Sequence, residues 1–244
     1  MKNALTLLLC LSISITLHAR DLYFQHIGVS EGLSQTSILS IYQDETGAMW
    51  FGSSEGLNRY NGTEIKIYQP SQGKDGLTNN EITELCGDKQ GHIYIRSGND
   101  LVVFDIFKER FTCIRPNDVK GLFYADNTLW TLCGRSLYTY RPEQGALQLV
   151  ASLPEGTGEG RALHVDDKQI WVLTHSHLLR LSRSHPEQPE SVLPLEKGIC
   201  LYRDKSENLW IGSWDGLYRI DPKEEIHHYT HQLSLIHISE PTRH

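Results

Sequence analysis

Few side chains in this chain stand at spacings that could do chemistry. His175-x-His177 and His227-His228-x-x-His231 offer imidazoles to a metal, but neither group has Cys or carboxylate companions at a recognised ligand spacing. They read better as half-exposed loop or edge histidines, and no metal or other cofactor is expected. Asp166-Asp167 is an adjacent acidic pair in a predicted strand-rich unit, and paired carboxylates are what hydrolysis of a glycosidic bond requires. The pair falls at a turn after a first strand, so no catalytic residue is assigned. There is no G-x-S-x-G, no phosphate-binding glycine loop and no H-E-x-x-H. Asn61-Gly-Thr63 fits a glycosylation sequon, yet Asn-Gly between apolar runs is better read as a tight turn.

The elements that would position such side chains repeat. Ile41–Tyr60 reads IYQDETGAMWFGSSEGLNRY, and Leu201–Ile220 reads LYRDKSENLWIGSWDGLYRI, with three weaker copies between them. Each copy has an apolar run, an Asp-containing turn, an aromatic run, a second polar turn and a third apolar run. In the first, Asp44 can accept backbone hydrogen bonds across its turn, and Gly47 can take the positive φ of a short hairpin loop. The turn copies read as Asp88-Lys-Gln-Gly91, Asp126-Asn127, Asp167-Lys168 and Asp204-Lys-Ser-Glu-Asn208, with the same chemistry expected at each. Leu57, Leu101, Leu137, Leu178 and Leu217 stand in register on the third run. A fourth strand is expected at residues 64–68 and 109–113, and more weakly later.

The ring that marks the second strand gives the period. Trp50, Tyr94, Trp130, Trp171 and Trp210 are separated by 44, 36, 41 and 39 residues. Gly32-Leu-Ser-Gln-Thr-Ser-Ile38 recurs as Gly76-Leu-Thr-Asn-Asn-Glu-Ile82, again shifted by 44. Four strands in about 40 residues is the signature of a propeller blade. The expected fold is therefore all-β: a β-propeller of four-stranded antiparallel blades, about five present and the propeller incomplete. The blades are expected at 32–70, 75–115, 118–153, 160–193 and 197–229. Because neighbours cover both faces of a blade, the repeated Trp residues read as core that fills space between blades.

Residues 1–19 combine one Lys, an apolar stretch and a small residue before Arg20, which reads as a secretory signal peptide. Acylation of Cys10 is disfavoured by the large Leu9 before it. Residues 20–232 form the blade region, and Leu22–Val29 looks like a lone strand able to complete a blade from the other end of the chain. Cys86, Cys113, Cys133 and Cys200 have no close paired spacing and read as small buried thiols despite an export route that permits disulfides. A net charge of −7 without a basic patch makes nucleic acid an unlikely partner. Residues 233–244 contain LSLIHISEPTR, which resembles the translation of a sequencing adapter, so no function is assigned to them. Five blades without closing ones would leave a bare face and edge, and the piece is expected to aggregate or to stay an open arc. A sharp monomeric melting transition for residues 21–232 would contradict that.

Gly32–Tyr68, with its GLS segment, D-x-x-G-x-x-W-x-G turn and strand, and GL-x-R-Y strand, resembles the two-component regulator propellers of hybrid two-component sensors in gut Bacteroidota. The resemblance covers residues 24 to about 229, strongly in the first and fifth blades. It implies a periplasmic ligand-sensing module of a sensor histidine kinase anchored in the inner membrane. The ligand it implies is a glycan or oligosaccharide. It further implies a second propeller, a β-sandwich, a transmembrane helix, kinase and regulator parts in cis, and it allows a homodimer of the parent. This chain itself shows no kinase His motif, and the competing reading is a secreted propeller enzyme, a lyase or glycosidase acting on polysaccharide. In a blade the loops from second to third strand open on one end of the channel. For a sugar, Trp214 would be the stacking surface, with Asp215, Arg135, Asn99 and Glu55 as hydrogen-bonding partners.

Overall fold

The computed structural model describes residues 24–70, 76–114 and 118–230. The expected signal peptide, the expected tail and His231 lie outside them. Twenty strands form five four-stranded antiparallel sheets, each built of strands consecutive in the chain. Blade 1 holds β1 (Ile38–Gln43), β2 (Met49–Ser53), β3 (Gly56–Tyr60) and β4 (Ile65–Tyr68). Blade 2 holds β5 (Ile82–Gly87), β6 (His92–Ser97), β7 (Asp100–Asp105) and β8 (Arg110–Ile114). Blade 3 holds β9 (Val119–Ala125), β10 (Thr128–Cys133), β11 (Ser136–Tyr140) and β12 (Leu147–Ser152). Blade 4 holds β13 (Gly160–Val165), β14 (Gln169–Thr174), β15 (His177–Ser182) and β16 (Glu190–Pro194). Blade 5 holds β17 (Gly198–Arg203), β18 (Leu209–Ser213), β19 (Gly216–Ile220) and β20 (Ile226–Tyr229). The fourth strand, weakly signalled in the later copies, is present in every blade.

The expected lone strand is corrected. Phe24–Gly28 is not extended into any sheet, Phe24 is exposed, and a 3-10 turn follows at Val29–Glu31. Glu31 ties that turn down by accepting from the backbone N–H of Gly28 at 2.6 Å. Leu22 and Tyr23 lie outside the described residues.

The repeated ring occupies the same place in every sheet. Trp50 pairs with Tyr42 and Arg59, Tyr94 with Cys86 and Val103, and Trp130 with Phe123 and Thr139. Trp171 pairs with His164 and Arg180, and Trp210 with Tyr202 and Arg219. The first strands β1, β5, β9, β13 and β17 follow one another as packed neighbours, which is the inner ring of an arc of blades.

Stacking has a direction. The face that bears the ring packs onto the following blade: Trp50 and Leu57 share a core with Ile82, Leu85, Ile95 and Phe104 of blade 2. Trp130, Leu132 and Leu137 meet Leu163, Val172 and Leu179 of blade 4, and Trp171, Leu173 and Leu178 meet Leu209, Ile211 and Tyr218 of blade 5. Removal of this apolar surface from water is the main force holding blade to blade. The second glycine of the motif serves the same contact, because a Cβ on Gly52 would lie 2.6 Å from the Ile82 carbonyl oxygen of the next inner strand.

Blade 5 has no following blade among the described residues. Leu217 is 40% exposed, while its equivalents Leu57, Leu101, Leu137 and Leu178 are fully buried. Trp210 is half-buried, and Tyr202 and Cys200 are exposed on the same face. Two expectations are thereby corrected: Trp210 is not enclosed like the other repeated Trp residues, and Cys200 is not a buried thiol. Cys133 is buried, and Cys86 and Cys113 are half-buried.

Candidate functional site

Two sets of loops mark the two ends of each blade. At one end the turn after the first strand is built around an Asp. Asp44 Oδ1 accepts from the backbone N–H groups of Thr46 and Ala48, at 2.9 and 3.0 Å, and Gly47 takes φ +87. Its Oδ2 accepts from the Trp50 indole at 2.7 Å, a bond that joins turn to core. Asp204 repeats the design, with Ser206 and Asn208 N–H on one oxygen and Trp210 Nε1 on the other at 2.8 Å. The bond from Trp210, aided by Asn208, lowers the Asp204 pKa to about 2. Burial pushes the Asp44 carboxyl up, but hydrogen bonds from Thr46, Trp50 and Ala48 outweigh it and the net shift is downward.

The middle blades depart from the expected uniform turn. In blade 4 the accepting residue is Asp166, not Asp167: its Oδ1 takes the N–H groups of Lys168 and Gln169 at 3.0 and 2.8 Å. In blade 3 Asp126 and Asn127 form a two-residue turn with φ +48 and +55. Six positions separate Asp44 from Trp50 and Asp204 from Trp210, against five from Asp166 to Trp171 and four from Asp126 to Trp130. The shorter turns bring no carboxylate to the indole, and neither Trp130 Nε1 nor Trp171 Nε1 has a partner among the described residues. The Asn61 turn forms as expected, with Asn61 Oδ1 accepting from Thr63 and Glu64 N–H and Gly62 at φ +101.

At the other end, the loops from second to third strand carry the predicted site residues, and backbone bonds stitch them to the next blade. The carbonyls of Asn99, Gly134 and His175 accept from Val119, Gly160 and Gly198, each the first residue of the following inner strand. Glu55, Asn99, Arg135 and Trp214 are exposed there. Among the described residues no hydrogen bond or ion pair joins these side chains to one another, and only Trp214 and Asp215 share a loop. Arg135 donates from its guanidinium to the Leu153 carbonyl at 3.1 Å. Asp215 is committed to its own blade: it accepts from Ser213 Oγ at 2.6 Å and from the Tyr218 hydroxyl. Burial, then the bond to Asp215, pushes the Tyr218 hydroxyl up to about 12. His228 stacks on Tyr218 with ring centroids 3.9 Å apart.

Trp214, 67% exposed, is the most open ring of this end, and its backbone N–H is fixed to the Glu196 carbonyl at 3.0 Å. Lys197 Nζ lies 3.6 Å from the ring centroid, a cation over an aromatic face. Sequence reasoning missed Lys197, and it missed Lys120, which bridges Asp118 and Glu159 at 2.8 and 3.4 Å beside the stitched loops of blades 2 to 4. Nothing in the repeat pattern marks either lysine, because both stand in the variable entries to the inner strands. Of the histidines, His227 lies near Asp221 and Glu225, whose ligand atoms fall within 4.8 Å of one another. Asp221 is already the acceptor for the Lys223 and Glu225 N–H groups, so this cluster is accounted for as a turn.

Residues 32–55 match the two-component regulator propeller model. That stretch runs through β1 and β2 of blade 1. A 59-residue stretch is 37% identical to histidine kinase P4 of Formosa agariphila, over 24% of this chain and 4% of that protein. The fold is similar to the extracellular domain of a B. thetaiotaomicron protein assigned as a hybrid two-component system. The TM-score is 0.71 and the identity 24%, over 83% of this chain and 31% of that one. A second such domain from the same organism gives 0.69 and 23%, over 85% and 29%. PorZ, a surface component of the type-IX secretion system of Porphyromonas gingivalis, gives 0.63 and 18%, over 84% and 28%. The chain spans about a third or less of each of these structures, and at these identities they speak for the propeller fold.

Proposed function

We propose that these blades are the outer, ligand-sensing part of a hybrid two-component sensor histidine kinase, exported to the periplasm, that recognises a glycan or oligosaccharide. The observation that carries this reading is the match of residues 32–55 to the two-component regulator propeller, set in a blade that four further copies repeat. The second propeller, sandwich, membrane anchor, kinase and regulator would be parts of the same parent. Ligand binding would bias the arrangement of these parts, and the anchor would pass that bias inward. Trp214, held open on a loop whose backbone is fixed, supports a sugar-stacking role at the stitched end. The enzyme alternative rested on Asp166-Asp167, and Asp166 is consumed by its turn and by Arg203.

The test is calorimetric titration of the chain with a panel of oligosaccharides, followed by Trp214→Ala. Binding of one member without shortening of the sugar, weakened about tenfold by the substitution, is the expected result. Unchanged affinity in Trp214→Ala would remove the proposed site. Time-dependent cleavage of the sugar would replace the sensor reading by the enzyme one.

A further inference from the structure

Blade 5 departs from the repeat twice at its stitched end. The first departure is the ring: the loop position of Trp214 is held by Ser54, Gly98, Gly134 and His175 in blades 1 to 4. The second is an inserted residue. In blades 2 to 4 the N–H groups of Gly98, Gly134 and His175 donate to the carbonyls of Glu81, Asp118 and Glu159, each directly before its inner strand. Trp214 donates in the same way to Glu196, but one more residue, Lys197, stands between Glu196 and the start of β17. It takes φ +53, a left-handed conformation that costs a lysine free energy.

The two departures meet, with Lys197 Nζ 3.6 Å from the centroid of the Trp214 ring and both side chains exposed. Elsewhere in the chain a cation over a ring is completed by a carboxylate. Lys66 over Tyr68 pairs with Glu109, Arg180 over Trp171 with Glu190, and Arg183 over Trp130 with Asp126. Arg59 and Arg219, over Trp50 and Trp210, are half-buried within the sheets. The Lys197 ammonium is in the open and makes no ion pair or hydrogen bond among the described residues. Its acidic neighbours do not complete it: Asp215 is spent on Ser213 and Tyr218, and Glu196 does not pair with it. The arrangement of ring, cation and carboxylate seen three times within the chain thus lacks its third member here.

We infer that the Trp214 end selects an acidic sugar, whose carboxylate or sulfate ester pairs with Lys197 while its ring stacks on the indole. A neutral sugar competes with the ammonium for the electron-rich face of the ring. An acidic one brings the ammonium a partner, and hydrogen bonds between charged groups are about twice as strong as neutral ones. This rests on the sensor reading above, with Trp214 as its stacking surface, and adds the class of glycan and Lys197 as the residue that chooses it.

The experiment is calorimetric titration of the full chain with oligosaccharides in matched pairs, galacturonate oligomers with their methyl esters and sulfated sugars with their desulfated forms. The acidic member of one pair should bind about fivefold or more tightly than its neutral form, the ratio one exposed charge pair supplies. Which pair responds tells carboxylate from sulfate. Lys197→Met should bring the acidic member down to the affinity of the neutral one, Lys197→Arg should keep the preference, and Trp214→Ala should weaken both members. Without any sugar, Lys197→Met should lower quenching of exposed Trp fluorescence by iodide and raise quenching by caesium, because the ammonium gathers anions at the ring. Equal affinity within every pair, or a preference that survives Lys197→Met, would overturn this inference and leave the sensor reading standing. Absence of binding by every member would overturn both.

Discussion

Blades 1 and 5 are the two closest copies in the chain, and they meet different fates. Both carry the Asp turn bonded to its Trp, the W-x-G strand and the GL-x-R strand. Leu57 is fully buried and Leu217 is 40% exposed, although they hold the same register. On the opposite face the contrast reverses: Ile41 of blade 1 is 59% exposed, while its equivalent Leu201 packs on blade 4. A blade's own sequence specifies its sheet and turns. Whether its apolar residues are core is decided by the neighbour.

Three measurements break or sharpen this contrast. The largest effect belongs to Leu57→Ala, which should destabilise by about 3 kcal/mol in denaturant titration, against less than about 1 kcal/mol for Leu217→Ala. Equal losses would show that the blade 5 face is covered in solution. Next, Asp44→Ala should lower stability by about 2 kcal/mol by orphaning buried N–H groups and the Trp50 indole, with a smaller loss for Asp204→Ala. Both carboxyls have lowered pKa values, so their contribution is complete above the unfolded value near 4. It declines as pH falls, and for Asp204 it is gone below about 2. Acid titration of the Trp210 indole resonance should report that midpoint.

The smallest effect concerns an interior interface with no counterpart in blade 5. Blade 2 places Arg96 where blades 1 and 5 have Gly52 and Gly212, and Glu84 faces it across the pair. Burial pushes Glu84 up to about 7, against the opposing influence of the Leu122 N–H and Arg96. A carboxyl raised in the folded state gives stability that is full below its unfolded value and lost as pH rises. Stability should therefore fall by on the order of 1 kcal/mol from about pH 4.5 to about pH 7. Glu84→Gln should flatten that slope in thermal melts taken across the range.

Most of the fold was legible because one ring and one turn recur, and each is tied to a local cause. Asp44 and Gly47 make a tight turn anywhere, and Trp50 is buried wherever a blade follows. What stayed illegible depends on distances between segments. No pattern shows that Asp215 spends its carboxylate on Tyr218, or that one deleted turn residue leaves the Trp171 hydrogen unclaimed. The extended reading of Leu22–Val29 failed on its described part because apolar residues with no partner strand have nothing to pair with. At the proposed site, exposure of Trp214 followed from its place in a polar loop. The lysine over its ring enters from a linker, where repeat logic does not reach.

The forward packing of the rings gives the arc a head and a tail. One terminus presents aliphatic side chains and the other aromatic ones, and the two surfaces are complementary rather than alike. Crowded molecules bearing both surfaces bare would thus thread into chains, tail onto head, and would not close as a symmetric pair.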